Sequence, residues 1–141
     1  MDITTILRLP FIFSADDYSN RFQRLCELSL KGSESIIEPR FKYSLVRKDD
    51  AAEAIIKILK SNCIGITDLS NVGCITSKEL LETVNRSLAL NKDSGSSKPE
   101  DFPYFVLRNI CLSSQKIKID LQILEALRVE AENYWSARDL A

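Results

Sequence analysis

A chain of 141 residues, 45% hydrophobic and 28% charged, can bury a core without disulfides or metal, so wholesale disorder is excluded and one domain over 1–141 is expected. Nineteen basic against 20 acidic side chains leave a net charge of −1, with no chain-wide basic excess of the kind phosphate or anionic-membrane binding draws on. The absence of histidine removes Ser-His-Asp and Cys-His catalysis and the commonest zinc ligand.

The opening stretch Ile3 to Phe13 is apolar and ends in Pro10-Phe11-Ile12-Phe13. Three bulky residues there are costly in water, so residues 1–13 read as an arm packed on the domain or on a partner. The stretch lacks the basic region and small-residue cleavage site of a signal peptide, and no apolar run approaches the ~20 residues that span a bilayer. A cytoplasmic location is therefore expected, with Cys26, Cys63, Cys74 and Cys111 as reduced thiols; no two stand closer than eleven positions, so no CxxC-type pair exists.

Ser14, followed by Asp16 and Asp17, predicts the N-cap of a first helix whose stripe is Tyr18, Phe22, Leu25 and Ser29, closed by Lys31 and Gly32. Pro39 then breaks any helix, and Phe41 to Leu45 alternates like a half-buried strand. The strip Arg40–Lys48 holds four cations, Arg40, Lys42, Arg47 and Lys48, among aromatics, a pattern suited to phosphate contact beside base stacking or to a plain solvated face. A second helix is predicted from Asp49 or Asp50, with Asp50 and Glu53 in the manner of a capping box and Ala52, Ile55, Ile56 and Leu59 as its buried stripe. Cys63 to Ile66 is extended, and residues 67–73 form a short helix stopped by Gly73 or a hairpin turn. Thr76 and Glu79 frame a capping box for a third helix on Leu80, Leu81, Val84 and Leu88. Residues 91–101 form a Gly/Ser-rich flexible loop, and residues 102–112 are a strand or a buried helix.

The last helix is predicted to start between Ser113 and Asp120. Ile117, Leu121, Leu124, Leu127, Ala131, Tyr134 and Trp135 share one face that Ile119, Ile123 and Ala126 widen to roughly 200°, more than one core requires. The surplus flank predicts either central burial or a protein contact through Ile119, Ile123, Leu127, Tyr134 and Trp135.

Residues 50–112 resemble a winged helix-turn-helix in the order and length of their elements: helix 50–61, strand 63–66, helix 67–72, turn at Gly73, helix 77–88, and a wing over 91–101. The resemblance implies that helix 77–88 enters a major groove with Ser77, Lys78, Asn85 and Arg86, and that Lys92 and Lys98 in the wing touch phosphates.

The fold expected is mainly α (α+β), a helical domain with a few short strands, a winged-helix core and a long C-terminal helix, with an all-α bundle as the alternative. Neither GxxxxGK[ST] nor GxGxxG occurs, so no catalytic residue, metal or cofactor is assigned. The functional expectation is a non-enzymatic interaction module: a small subunit or adaptor with a protein partner or a second copy, and no membrane. The alternatives are a nucleic-acid-binding protein and a small enzyme using a cysteine or a carboxylate pair.

Overall fold

The computed structural model describes residues 4–30, 42–61, 63–89, 119 and 121–139. The apolar arm forms two strands, β1 (Thr5–Arg8) and β2 (Phe11–Phe13), separated at Pro10, which cannot donate to a ladder. Each waits for a distant parallel partner. β1 pairs with β5 (Gly65–Asp68), matching Thr5 to Gly65 and Arg8 to Asp68, and β2 pairs with β4 (Leu45–Arg47), matching Phe11 to Leu45. A short antiparallel pair joins β3 (Lys42–Tyr43) to β6 (Ile75–Thr76). Parallel pairing requires long crossovers, and these carry helices: α1 (Arg21–Leu30) lies between β2 and β4, and α2 (Lys48–Lys60) between β4 and β5. α3 (Ser77–Ala89) and α4 (Ile123–Asp139) follow.

This order corrects the expectation of a mainly α fold and of its all-α alternative: parallel strands alternating with helices make an α/β arrangement. Residues 67–72, predicted as a helix or a hairpin turn, instead continue β5 through Thr67 and Asp68. The chain then runs on to Val72, which forms a parallel bridge with Gln122. Without that helix the winged-helix order is broken. The wing and residues 102–112 lie outside the described residues.

Strand β4 divides the interior. Leu45 belongs to a core with Phe13, Phe22, Leu25, Cys26, Leu80, Val84, Leu88, Ile123 and Leu127, whereas Val46, its neighbour, belongs to a second with Ala51, Ala54, Ile58, Leu69 and Ile119. Successive strand residues point to opposite sides, so one short strand serves both cores.

The helices differ from expectation in start and in azimuth. Ser14 does not cap α1, which opens seven residues later; Asn20 adopts a left-handed φ of 54° before it, and Tyr18 is 95% exposed rather than buried. α2 buries Ala51, Ala54 and Ile58 with Ile55 packed beside them, and of the predicted stripe it leaves Ala52, Ile56 and Leu59 exposed. Positions 51, 54, 55 and 58 are an equally regular apolar stripe, and the choice between the two is made by Asp50, which is held inward. α3 begins as predicted: Thr76 N–H and Oγ1–H donate to Glu79 Oε2 at 2.7 and 2.9 Å, and Glu79 N–H returns to Thr76 Oγ1 at 3.2 Å. α4 starts at Ile123, and of the described residues of the broad apolar arc Leu124 alone is exposed, while Ile117 lies outside the described residues. Cys26 and Cys63 are free thiols; Cys74 is disulfide-bonded, which corrects the expectation of four reduced cysteines.

Candidate functional site

The densest polar cluster forms where β4 passes directly into α2. Arg47 ends the strand, and one helical turn later Asp50 comes under its guanidinium: Nη2–H donates to Asp50 Oδ1 at 2.7 Å and Nε–H to Oδ2 at 3.1 Å. This fork geometry is the strong form of the arginine–carboxylate pair. Asn71, fully buried beyond β5, completes it. Its amide donates to Asp50 Oδ2 at 2.7 Å and to the Leu121 carbonyl at 3.2 Å, and its Oδ1 accepts the Arg47 backbone N–H at 2.8 Å. The Asn71 backbone N–H adds a bond to the Leu45 carbonyl at 2.9 Å. One side chain thus joins β4, α2 and the entry to α4.

Glu130, buried on α4, reaches the same cluster from the opposite side. Its Oε1 lies 3.8 Å from Arg47 Nη1, and its Oε2 accepts the Ala15 N–H at 2.8 Å. The Asp50 hydrogen bonds raise the Arg47 pKa against the opposing effect of partial burial. Nearby, Lys48 Nζ holds Asp16 at 2.5 and 2.6 Å and lowers its pKa, and Arg8 pairs with the buried Asp68 at 2.6 Å.

Two clefts flank the cluster. The first, ≈ 350 Å³, is lined by Arg47, Asp50, Glu53, Ala54, Lys57, Ile119 and Leu121; the second, ≈ 310 Å³, includes Asp16, Lys48, Asp49, Glu130 and Asn133. The first combines an apolar floor with cations and carboxylates at its rim, including the Glu53–Lys57 pair at 3.0 Å. Such a lining offers donors, acceptors and apolar surface together. Among the described residues, no group of three or more His, Cys, Asp or Glu side chains could hold a metal ion.

The predicted binding residues are dispersed. Ile119, Ile123 and Leu127 are buried in this chain's own cores, and Tyr134 and Trp135 are half-buried against the first of them. Of the basic strip, Arg47 turns inward, Lys48 pairs with Asp16, Lys42 is exposed, and Arg40 lies outside the described residues. On α3, Lys78 lies 3.8 Å from Glu82, and Asn85 and Arg86 are exposed; of Ser77 only the backbone is described. Sequence reasoning missed Asn71 and Glu130 altogether. Thr67, Asp68, Ser70 and Asn71 form a buried polar run that, in sequence, carries the composition of a turn.

No protein-family model matches the chain, and no curated protein matches it. Solved structures do. The fold is similar to that of a dTDP-4-dehydrorhamnose reductase from Clostridium acetobutylicum (TM-score 0.70, 14% identity, 93% of this chain and 49% of that one). It is similar also to a dTDP-glucose 4,6-dehydratase from Bacillus anthracis in complex with NAD (0.68, 13%, 96% and 45%) and to a UDP-N-acetylglucosamine 4-epimerase from Bacillus cereus (0.65, 15%, 93% and 48%). The chain spans less than half the length of these structures. The likeness is to a Rossmann-like α/β fold and overturns the winged-helix resemblance, and with it the nucleic-acid-binding alternative built on helix 77–88. It also overturns the non-enzymatic adaptor and the assignment of no enzyme, because the structures that share this architecture are a reductase, a dehydratase and epimerases. No described helix is long and apolar enough to cross a membrane.

Proposed function

We propose that this chain is part of a nucleotide-sugar-modifying enzyme of the epimerase, dehydratase or reductase kind, and that it supplies a face for the sugar nucleotide rather than a cradle for a dinucleotide. The observation that carries this reading is the extent of the likeness: 93–96% of the chain follows three such structures at TM-scores of 0.65–0.70.

Among the described residues, the starts of α2 and α3 do not fit NAD. A dinucleotide pyrophosphate needs a glycine-rich turn and a helix N-terminus with open N–H groups. The chain has no GxGxxG, α2 opens on Asp49 and Asp50, and at the start of α3 the Glu79 N–H is already bonded to Thr76. Acidic side chains at these helix starts repel a diphosphate. No step through the dinucleotide is derived for this chain.

The cleft beside Arg47 is the place for the sugar nucleotide in this reading. Arg47 is committed to Asp50, so Lys57, exposed at the rim, is the cation able to turn towards a ligand phosphate. Titration of the chain with UDP-glucose and dTDP-glucose, followed by NMR, is expected to shift amides of α2 and of Leu121. Lys57→Ala is expected to weaken binding about tenfold, the worth of one charge-assisted hydrogen bond. An unchanged spectrum at millimolar ligand overturns the function, and full affinity in Lys57→Ala overturns the cleft. A cytoplasmic location belongs to the same reading. The free thiols of Cys26 and Cys63 support it and the bonded Cys74 opposes it, so counting thiols in protein taken from its own cells tests it.

A further inference from the structure

The β1–β5 sheet is parallel, and its two faces are treated differently. The inner face, with Leu7, packs on the second core and hence on the Ala51, Ala54 and Ile58 stripe of α2. On the outer face Ile6 and Ile66 stand side by side in register and keep 51% and 49% of their surface exposed; Ile64, just before the strand, keeps 52%. Parallel sheets are stable with both faces covered, because the crossovers that make them parallel lay helices on each side. Among the described residues only one side has its helix.

We propose that the outer face of the β1–β5 sheet, centred on Ile6 and Ile66, is a docking surface for a further α/β segment of protein that lays a helix across it. The occupant is the portion of the architecture that the matched structures contain and this chain does not span. They are about twice as long, while nearly all of this chain is matched within them. Two isoleucines paired on adjacent parallel strands, with the Arg8–Asp68 pair at one end, form the surface a helix covers in an α/β layer. The inference rests on the fold alone, so it stands or falls separately from sugar-nucleotide binding.

An Ile66→Cys variant of the full chain tests it, with N-ethylmaleimide modification mapped by peptide mass spectrometry. Labelling is measured on the purified chain and on the same variant expressed at its own locus, in freshly opened cells. Leu59→Cys, at a position 79% exposed on α2, serves as the reference. The expected result is rapid labelling of the purified chain and at least tenfold slower labelling in cells, with the reference unchanged. A photo-crosslinker on the Ile66→Cys thiol then joins to a strand–helix segment outside residues 1–141. Equal labelling in both preparations overturns the proposal. So does protection in a purified chain that sediments as a dimer, or a crosslink to a second copy. Ile6→Cys repeats the measurement should Ile66→Cys fail to fold.

Discussion

Asn71 shows how one buried amide can hold three elements. Its side chain meets the Arg47 backbone, the Asp50 carboxylate and the Leu121 carbonyl, and no aliphatic residue of its size replaces any of these. Removing it takes one hydrogen bond each from the Arg47 N–H, from the Asp50 carboxylate, which keeps the Arg47 guanidinium, and from the Leu121 carbonyl, which keeps the Val72 N–H; a buried group left unsatisfied costs about 1–3 kcal/mol. Asn71→Ala is therefore expected to lose about 3 kcal/mol and about 10 °C in melting temperature, measured by calorimetry. A loss below 1 °C would show that water replaces the amide without penalty. Little of this was legible in the sequence. Asp68-Leu69-Ser70-Asn71 has the composition of a turn, and only distant partners, Arg8 on β1, Arg47 on β4, Asp50 on α2 and Leu121 ahead of α4, convert those polar groups into interior residues. In sequence Arg47 reads as a cation for phosphate, but its charge is spent on Asp50 three residues later.

Helix starts were legible where the signal was local and misleading where it was tertiary. Thr76 and Glu79 satisfy each other within four residues, so the box survives whatever the rest of the fold does. Asp50 and Glu53 have the same appearance, yet α2 has no side-chain cap, because Asp50 is drawn to Arg47 and Asn71. That inward pull selects which of two apolar stripes is buried. The Glu79 carboxyl sits below its ordinary pKa because it accepts the Thr76 N–H and hydroxyl. A folded pKa lower than the unfolded one gives stability that is complete above about pH 4.3 and is lost as the pH falls through the folded value. Wild type is thus expected to exceed Glu79→Gln in melting temperature at pH 7, with the gap closing below pH 4. A gap independent of pH would assign the effect to helix propensity instead of charge.

At the scale of the molecule, β4 ties two cores together through adjacent residues. Val46 lies in the α2 core, whereas Trp135, the single tryptophan, packs against the other. If the two unfold as one unit, Val46→Ala, costing about 2 kcal/mol by cavity formation, shifts the denaturation midpoint of Trp135 fluorescence as far as that of far-UV circular dichroism. A fluorescence midpoint that stays in place would separate the cores. Helices were the legible part of this architecture because their periodicity is long. The strands were legible only in part: the extended readings at 41–45 and 63–66 overlap β3, β4 and β5, but β1 and β2 read as an arm, because the strands run two to four residues, β4 is buried on both sides without alternation, and their partners stand far along the chain. That distance has a kinetic consequence. Arg8 and Asp68 are separated by 60 residues, so at synthesis rates of roughly 5–20 residues per second β1 is out for about 3–12 s before the strand it pairs with exists. Through that interval Ile6 and Leu7 have no native partner, and the nascent chain is at its most vulnerable to chaperone capture or to mispairing with another copy.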